Sequence, residues 1–558
     1  MSYVNIADRL RAHAANTPDK PAVILCKGPG EQGSLTVSSH TFRELERDSD
    51  AAARGFAAAG IGRGAKTLVM LRPSFEFFSC FFALFKVGAV PVFIDPGMGG
   101  RRLLECVRVL APEAMVGIPL AHLVRVMSRR NFPGFRVAVT VGRRWLWGGK
   151  KWASMRRFAD EPFPMAETAP DELAAILFTT GSTGPAKGVE YSHSALDRQV
   201  GILSEAFSIT ADDRDAATFP GFSLFSIALG MTAVVPDMNP VRPGEVHPPN
   251  VIQPVKEMGC TFSFGSPALW NRVSAYALEN QMALPTLRRV IMAGAPVPAE
   301  VHRQLLGGVL PEGANTYTPY GATEVMPVAC IDGRQVLVET AALSAMGKGV
   351  CIGPPAVGVR AEIIRIDDGP IPQWSDDLIL PAGRIGEITV QAEHASRHYH
   401  NLPQADALAK IAADGGRFWH RMGDVGYQDE KGRLWFCGRK AHRVRARTGD
   451  MFTICCEAIF NQHPAVRRSA LVGVPETDGF QRPVIAVELR GDVAPERRDA
   501  IARELLETSA GHDITSGIKD ILFHPGFPTD IRHNAKIGRE ELALWAAKAL
   551  REAKGRKE

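Results

Sequence analysis

A chain of 558 residues is longer than one ordinary domain and can bury large cores. Its 45% hydrophobic and 22% charged residues are those of a soluble globular protein, and a net charge of +5 is too slight over this length to suggest nucleic-acid binding. Nine cysteines without a C-x-x-C pair offer no metal site and point to reduced thiols in a cytosolic compartment.

The first twenty residues lack a signal-peptide apolar core. Ile6, Leu10 and Ala14 recur every four residues, which predicts a short amphipathic helix. The most apolar stretch, FFSCFFALFKVGAVPVFIDP at 77–96, is interrupted by Lys86 and Pro91 and lacks the ~20 uninterrupted apolar residues of a membrane span. It predicts a buried helix, a turn at Val87-Gly88 and a strand over 90–94. RRWLWGGKKW at 143–152 suits either a surface loop with two anchored tryptophans or contact with a membrane surface or partner. Apolar runs at 66–71, 90–94, 114–117, 137–141, 174–178 and 289–292 alternate with helical patterns, so the large N-terminal part is expected to be α/β with largely parallel sheets. Period-2 alternation over 351–390 predicts a small antiparallel unit. Beyond residue 440 a compact α+β segment has its own strands, 469–474 and 484–488, and a helix over 496–508. A boundary near Lys440 divides 1–439 from 440–558.

Four strings carry chemistry. LFTTGSTGPAKGVEYSH at 177–193 follows an apolar strand. Gly181, Gly184 and Gly188 permit close backbone approach, while Thr179, Thr180, Ser182 and Thr183 add hydroxyls and Lys187 a positive charge. Such a turn makes a concave anion site suited to a polyphosphate, although it is not a Walker A loop. A flexible polar surface loop is the plainer alternative. MAGAPVP at 292–298, with Gly294, Ala295 and Pro296, is a small-residue turn open to a flat ring. TYTPYGATEVMP at 316–327 places Tyr320, Gly321, Thr323 and Glu324 together; a carboxylate beside substrate phosphates is what Mg²⁺ takes, and an ordinary surface turn is the alternative. RMGDVGYQDEKGRLWFCGRK at 421–440 reads as a hairpin turning at 430–432.

These strings resemble the signatures of the adenylate-forming superfamily, which includes acyl-CoA synthetases, luciferases and peptide-synthetase adenylation domains. The resemblance covers nearly the whole chain and implies a large N-terminal domain followed by a small mobile lid. It implies that the 179–184 loop and Lys187 hold ATP phosphates, that 294–296 lie against adenine, and that Tyr320 stacks on that ring. Thr323 would contact the α-phosphate, Glu324 would hold Mg²⁺, and Asp424 and Arg439 would bind the ribose. FPTDIRHNAKIGRE at 527–540 resembles the segment carrying the lysine of adenylation, here Lys536. A cation there stabilises charge as a carboxylate attacks ATP. Three positions depart from the pattern: Met422 replaces a threonine, Ala535 a glycine and Ala441 the hinge acid.

RVRARTGDMFTICCEAIFN at 443–461 lacks the lysine and proline usual in CoA ligases. Several strings outside the shared motifs, among them IPLAHLVRV, VGRRWLWGGK and FGSPALW, resemble the β-lactone synthetases of long-chain olefin biosynthesis. That subgroup activates a 2-alkyl-3-hydroxy fatty acid, and the substrate's own hydroxyl then displaces AMP. The resemblance also implies work beside a thiolase-like condensing enzyme, a ketoreductase and a β-lactone decarboxylase. A fatty acyl-CoA ligase or an acyl-AMP ligase loading a carrier protein is the alternative. A non-catalytic adenylate-binding scaffold is disfavoured because Lys187, Glu324, Asp424, Arg439 and Lys536 are all present. Segments 219–230 and 264–267 are candidate walls of an apolar acyl pocket. His193 and His533 are candidates by residue type for a base, although a lone histidine is more often structural.

Overall fold

The computed structural model describes residues 3–28, 34–179, 186–491, 493–529 and 537–555. Two large sheets form the N-terminal part. One runs, in spatial order, Lys150–Lys151, Val137–Thr140, Ala114–Gly117, Lys66–Met70, Val90–Ile94, Leu173–Thr179 and Lys187–Ser192. All its neighbours are parallel except the last pair, which is an antiparallel hairpin. The other has eight strands, parallel in the middle, with antiparallel pairs at both edges; Asn315–Ala322 and Val325–Asp332 form one such pair. The expected α/β architecture is therefore present.

The largest core lies between these sheets, around the helix Phe75–Lys86. Ser74 caps this helix by accepting from the N–H of Phe77, and every residue from Phe77 to Lys86 is buried. Gly88 turns the chain with φ +69°, and Val90–Ile94 follows. Lys86 sits at zero exposure, its Nζ 2.6 Å from Asp50, 2.8 Å from Glu46 and 2.8 Å from the Ser49 hydroxyl. A buried ammonium needs such partners, so the lysine that interrupts the apolar run belongs to a protein core. Among the described residues no helix is long and apolar enough to cross a membrane.

The antiparallel unit is larger than the sequence predicts. Val350–Gly353, Arg360–Ile364 and Gly386–Gln391 join the hairpin Phe418–Gln428/Leu434–Arg439, and Lys410–Ala412 adds to the hairpin's first strand. The hairpin thus supplies two strands of this sheet. Beyond it, Val466–Pro475 and Gln481–Leu489 pair antiparallel, with Asp520–Phe523 parallel alongside. The helix expected over 496–508 runs Arg498–Ala510, because Pro495 opens a 3₁₀ turn ahead of it. Two hydrophobic clusters draw only on residues from Val444 onward. At the junction Lys440 lies 3.0 Å from Glu387, whose other oxygen is 2.6 Å from Arg421.

Candidate active site

The site is built where strand ends and hairpin tips from three sheets converge. Leu173–Thr179 and Lys187–Ser192 pair with Thr179 opposite Lys187, so Lys187 opens the return strand. Thr180, Gly181, Ser182, Thr183 and Gly184 lie outside the described residues. Gly188 leaves room for the Phe178 ring across the pair, which a Cβ would approach at 3.0 Å.

A distant segment adds itself to this hairpin. The N–H of His400 donates to the Gly188 carbonyl (2.7 Å), the N–H of Glu190 donates to that of His398 (3.1 Å), and Val189 bridges Tyr399. This pairing sets the Lys187 ammonium 4.7 Å from the centre of the Tyr399 ring; Lys410 lies 5.6 Å from the same ring.

Thr323 and Glu324 form the two-residue tip between Asn315–Ala322 and Val325–Asp332. Gly321 lets that tip close, because a Cβ there would meet the Val325 carbonyl at 2.8 Å. Two tyrosines and a backbone amide hold the tip. Tyr191 donates to the Thr323 carbonyl. Tyr399 donates to Glu324 Oε1 at 2.5 Å. The Ser396 N–H donates to the Glu324 carbonyl at 2.7 Å. Burial, reinforced by the Glu324 charge, raises the Tyr399 phenol well above its usual range, so it remains a donor. Burial pushes Lys410 down to about 8, with Glu324 and Asp406 opposing. Its ammonium donates to the Ser396 carbonyl.

Tyr320, on the strand leading to the tip, donates to Asp424 Oδ2 at 2.5 Å. Asp424 faces Arg439 across the Phe418–Gln428/Leu434–Arg439 pair, with Arg439 Nη1 2.9 Å from Oδ1. Asp424 is only 3% exposed. Burial raises its pKa, and Arg439 works against that shift. Gly294, Ala295 and Pro296 follow the strand Arg289–Met292, which pairs in parallel with Asn315–Ala322. Gly294 has φ +92°, the left-handed region that glycine enters freely.

One cleft of about 2090 Å³ runs beside the tip. Thr323 and Gln199 lie on its wall with Phe77, Phe93, Phe222 and Phe264. Phe222 and Phe264 stack at 4.3 Å. The candidate acyl walls therefore meet this cleft. Lys536 and His533 lie outside the described residues, and the residues on either side of that stretch are described. Thr529 bridges Ile537, the Gly538 N–H donates to the Pro528 carbonyl (2.8 Å), and all four residues line the cleft. His193 is not on that wall. It is fully buried at a helix start, 6.4 Å from the Phe85 ring and with no hydrogen bond to either ring nitrogen, the setting of a core histidine.

Sequence reasoning missed Tyr191, Tyr399 and Lys410. One signal was available: the chain has only seven tyrosines, and three of them, Tyr191, Tyr320 and Tyr399, converge here.

A fold of this layout, with a threonine–glutamate tip above a deep apolar cleft, is that of an adenylate-forming enzyme. The profile of the AMP-binding enzyme family matches residues 10–400, and the chain belongs to that family. It is 46% identical over 552 residues to an olefin beta-lactone synthetase of Xanthomonas campestris pv. campestris, covering 97% of each chain. It is likewise 46% identical over 557 residues to an olefin beta-lactone synthetase of Stenotrophomonas maltophilia, covering 98% of each. Its fold superposes on that of an amide bond synthetase from Marinactinospora thermotolerans with a TM-score of 0.77, at 21% identity, over 97% of this chain and 99% of that one.

Proposed function

We propose that this chain is an ATP-dependent β-lactone synthetase acting on 2-alkyl-3-hydroxy fatty acids. A carboxylate oxygen of the acid attacks the α-phosphorus of ATP; the acyl–O–P bond forms, the bond to the β-phosphate oxygen breaks, and pyrophosphate leaves. The substrate's 3-hydroxyl oxygen then attacks the acyl carbon, the C–O bond of a four-membered lactone forms, and AMP departs with the bonding electron pair while the hydroxyl loses its proton. The carrying observation is the single cleft that joins the Thr323–Glu324 tip to phenylalanine walls. Its volume, about twice the upper end of ordinary ligand pockets, suits an adenylate together with two alkyl chains. The near full-length similarity to two olefin beta-lactone synthetases supports the same reading.

In this reading Lys187 and the 179–184 loop hold the ATP phosphates, and residues 294–296 with Tyr320 flank adenine. Asp424 and Arg439 meet the ribose, and Thr323 meets the α-phosphate. Lys536 stabilises charge as the carboxylate attacks. Glu324 is the residue that would hold Mg²⁺. One carboxylate beside substrate phosphates is a donor set that suits Mg²⁺. When bound, that ion neutralises phosphate charge. Tyr399 aims the Glu324 carboxylate, and Lys187 adds a second cation beside it. Because the nucleophile of the second step is part of the substrate, holding it near the acyl carbon makes that step intramolecular, with effective molarities on the order of 10⁵ M.

We place the division between adenylation domain and lid at 439/440, in line with the separate cores beyond Val444. Nine free cysteines suit a reducing cytoplasm. The enzyme acts between a condensing enzyme and ketoreductase that make its acid and a decarboxylase that consumes its lactone. Incubation with ATP, Mg²⁺ and the hydroxy acid, with and without CoA, tests the function by proton NMR of the product. A β-lactone formed without CoA is expected; a thioester formed only with CoA would make the chain a CoA ligase.

A further inference from the structure

The helix Pro119–Met127 is amphipathic the wrong way round. Its buried face carries His122, whose Nε2 lies 2.9 Å from the Val139 carbonyl. Its solvent face carries Leu120, Leu123, Val124 and Met127, at helical spacing i, i+3, i+4, i+7, with Leu120 62% and Met127 78% exposed. The loop after Val137–Thr140 packs on the flank of this helix. Trp147 stacks on His122 at 5.9 Å and donates its indole N–H to Thr140 (3.0 Å), and this leaves Trp145 half exposed and Leu146 fully exposed beside it. A contiguous exposed apolar surface of this kind marks a contact site.

Two observations select the occupant. Residues 100–155 hold eleven Lys or Arg and only two Asp or Glu, so this one segment carries more positive charge than the whole chain's net of +5. Arg101, Arg102, Arg129, Arg130, Arg143 and Lys150 are all exposed. In addition, Leu120 and Val124 are at once exposed and part of the wall of the acyl cleft, as is Arg102. The cleft therefore reaches the surface within this basic and apolar face.

We propose that this face is a docking surface for an anionic lipid bilayer, which lets the water-insoluble acid pass between the bilayer and the cleft through the gap beside Leu120 and Val124. Leu123, Met127, Trp145 and Leu146 enter the headgroup region while the surrounding arginines and lysines meet lipid phosphates. A folded protein partner is the competing occupant. The excess of exposed basic residues in the same segment favours lipid.

The test is co-sedimentation of the full chain with vesicles of mixed phosphatidylglycerol and phosphatidylcholine, and with phosphatidylcholine alone. The chain is expected to pellet with the anionic vesicles, to stay in solution with the neutral ones, and to be released by salt. Leu123→Ser with Met127→Ser, and separately Arg130→Glu with Arg143→Glu, are expected to reduce anionic-vesicle binding about tenfold. None of these four residues lines the cleft, so ATP–pyrophosphate exchange on a detergent-dispersed acid stays as in the parent. Equal pelleting of parent and both variants would overturn the proposal, as would a parent that ignores both vesicle types. If the same substitutions instead abolish a self-association or partner complex seen by light scattering, without any vesicle binding, the face is a protein interface and the proposal fails.

Discussion

Tyr399 donates its phenolic hydrogen to Oε1 of Glu324 at 2.5 Å, across 75 residues of sequence. The contact exists because 398–400 pairs with the strand that begins at Lys187, so one short segment links the Leu173–Thr179/Lys187–Ser192 hairpin to the threonine–glutamate tip. Tyr399→Phe removes the hydrogen bond but keeps the ring beneath Lys187. A hydrogen bond to a charged group contributes about 1.5–3 kcal/mol, so exchange of pyrophosphate into ATP should fall by roughly tenfold or more, with a higher Mg²⁺ requirement and a slightly lowered melting temperature. A Mg²⁺ titration of the exchange rate checks this; a parent-like curve would remove Tyr399 from the site.

Asp424, Arg439 and Tyr320 form a second cluster. Asp424→Asn keeps the shape and leaves Arg439 without its counter-charge. Losing one partner of a buried pair is costly, but the Arg439 side chain is 39% exposed, so a destabilisation of about 1–3 kcal/mol is expected. Tyr320→Phe, which also removes a hydrogen bond to a carboxylate, should cost about 1.5–3 kcal/mol. Both carboxylate contacts depend on one residue, so the double variant should lose less than the two singles together. Urea unfolding of the three variants decides it, and strict additivity would show the contacts to be independent.

What could be read in the sequence was local. The run ending at Lys86, the turn at Gly88 and the strand after it follow from apolar spacing and one glycine, and the structure has them. The 421–440 hairpin was equally legible, since its strands adjoin its turn. Its place within a larger sheet was not, because Gly386–Gln391 pairs with it from a distance. The same physics hid Tyr399 and Lys410. Tyr399 takes its place through a three-residue pairing with Lys187–Ser192 that leaves no periodic trace in 398–400, and Lys410 opens a separate short strand that pairs with Phe418–Gln428. Composition did hold a hint, in the scarcity of tyrosine.

Lys410 gives the site a pH signature. Burial lowers its pKa from 10.5 to about 8. Between those values the unfolded chain still binds the proton that the folded chain has released, so the unfolded state carries the excess proton and stability rises with pH. Replacing the lysine by methionine removes this contribution. The melting temperature of the parent should therefore climb relative to Lys410→Met as pH rises from about 8 toward 10.5, and the difference should be flat below that window. A constant difference across the window would mean that the ammonium stays charged in the fold.

His193 shows the same linkage on the acid side. It is fully buried, its ring nitrogens make no hydrogen bond, and burial lowers its pKa from 6.5 to about 4 despite the pull of Glu172. As pH falls from 6.5 toward 4 the unfolded chain takes up a proton that the folded chain refuses, so the fold loses stability through that window. His193→Leu cannot titrate there, and its melting temperature should gain on the parent as pH falls from 6.5 toward 4. The position is off the cleft wall, so lactone formation at neutral pH should stay within about twofold of the parent, the small effect expected of a residue outside the reacting groups. Thermal scans at the two ends of the window, with product analysis at pH 7, separate the two roles. A large loss of lactone with the acyl-adenylate still forming would restore His193 as the base that takes the hydroxyl proton, whereas intact turnover with a flattened acid limb makes it a core residue whose effect is on stability alone.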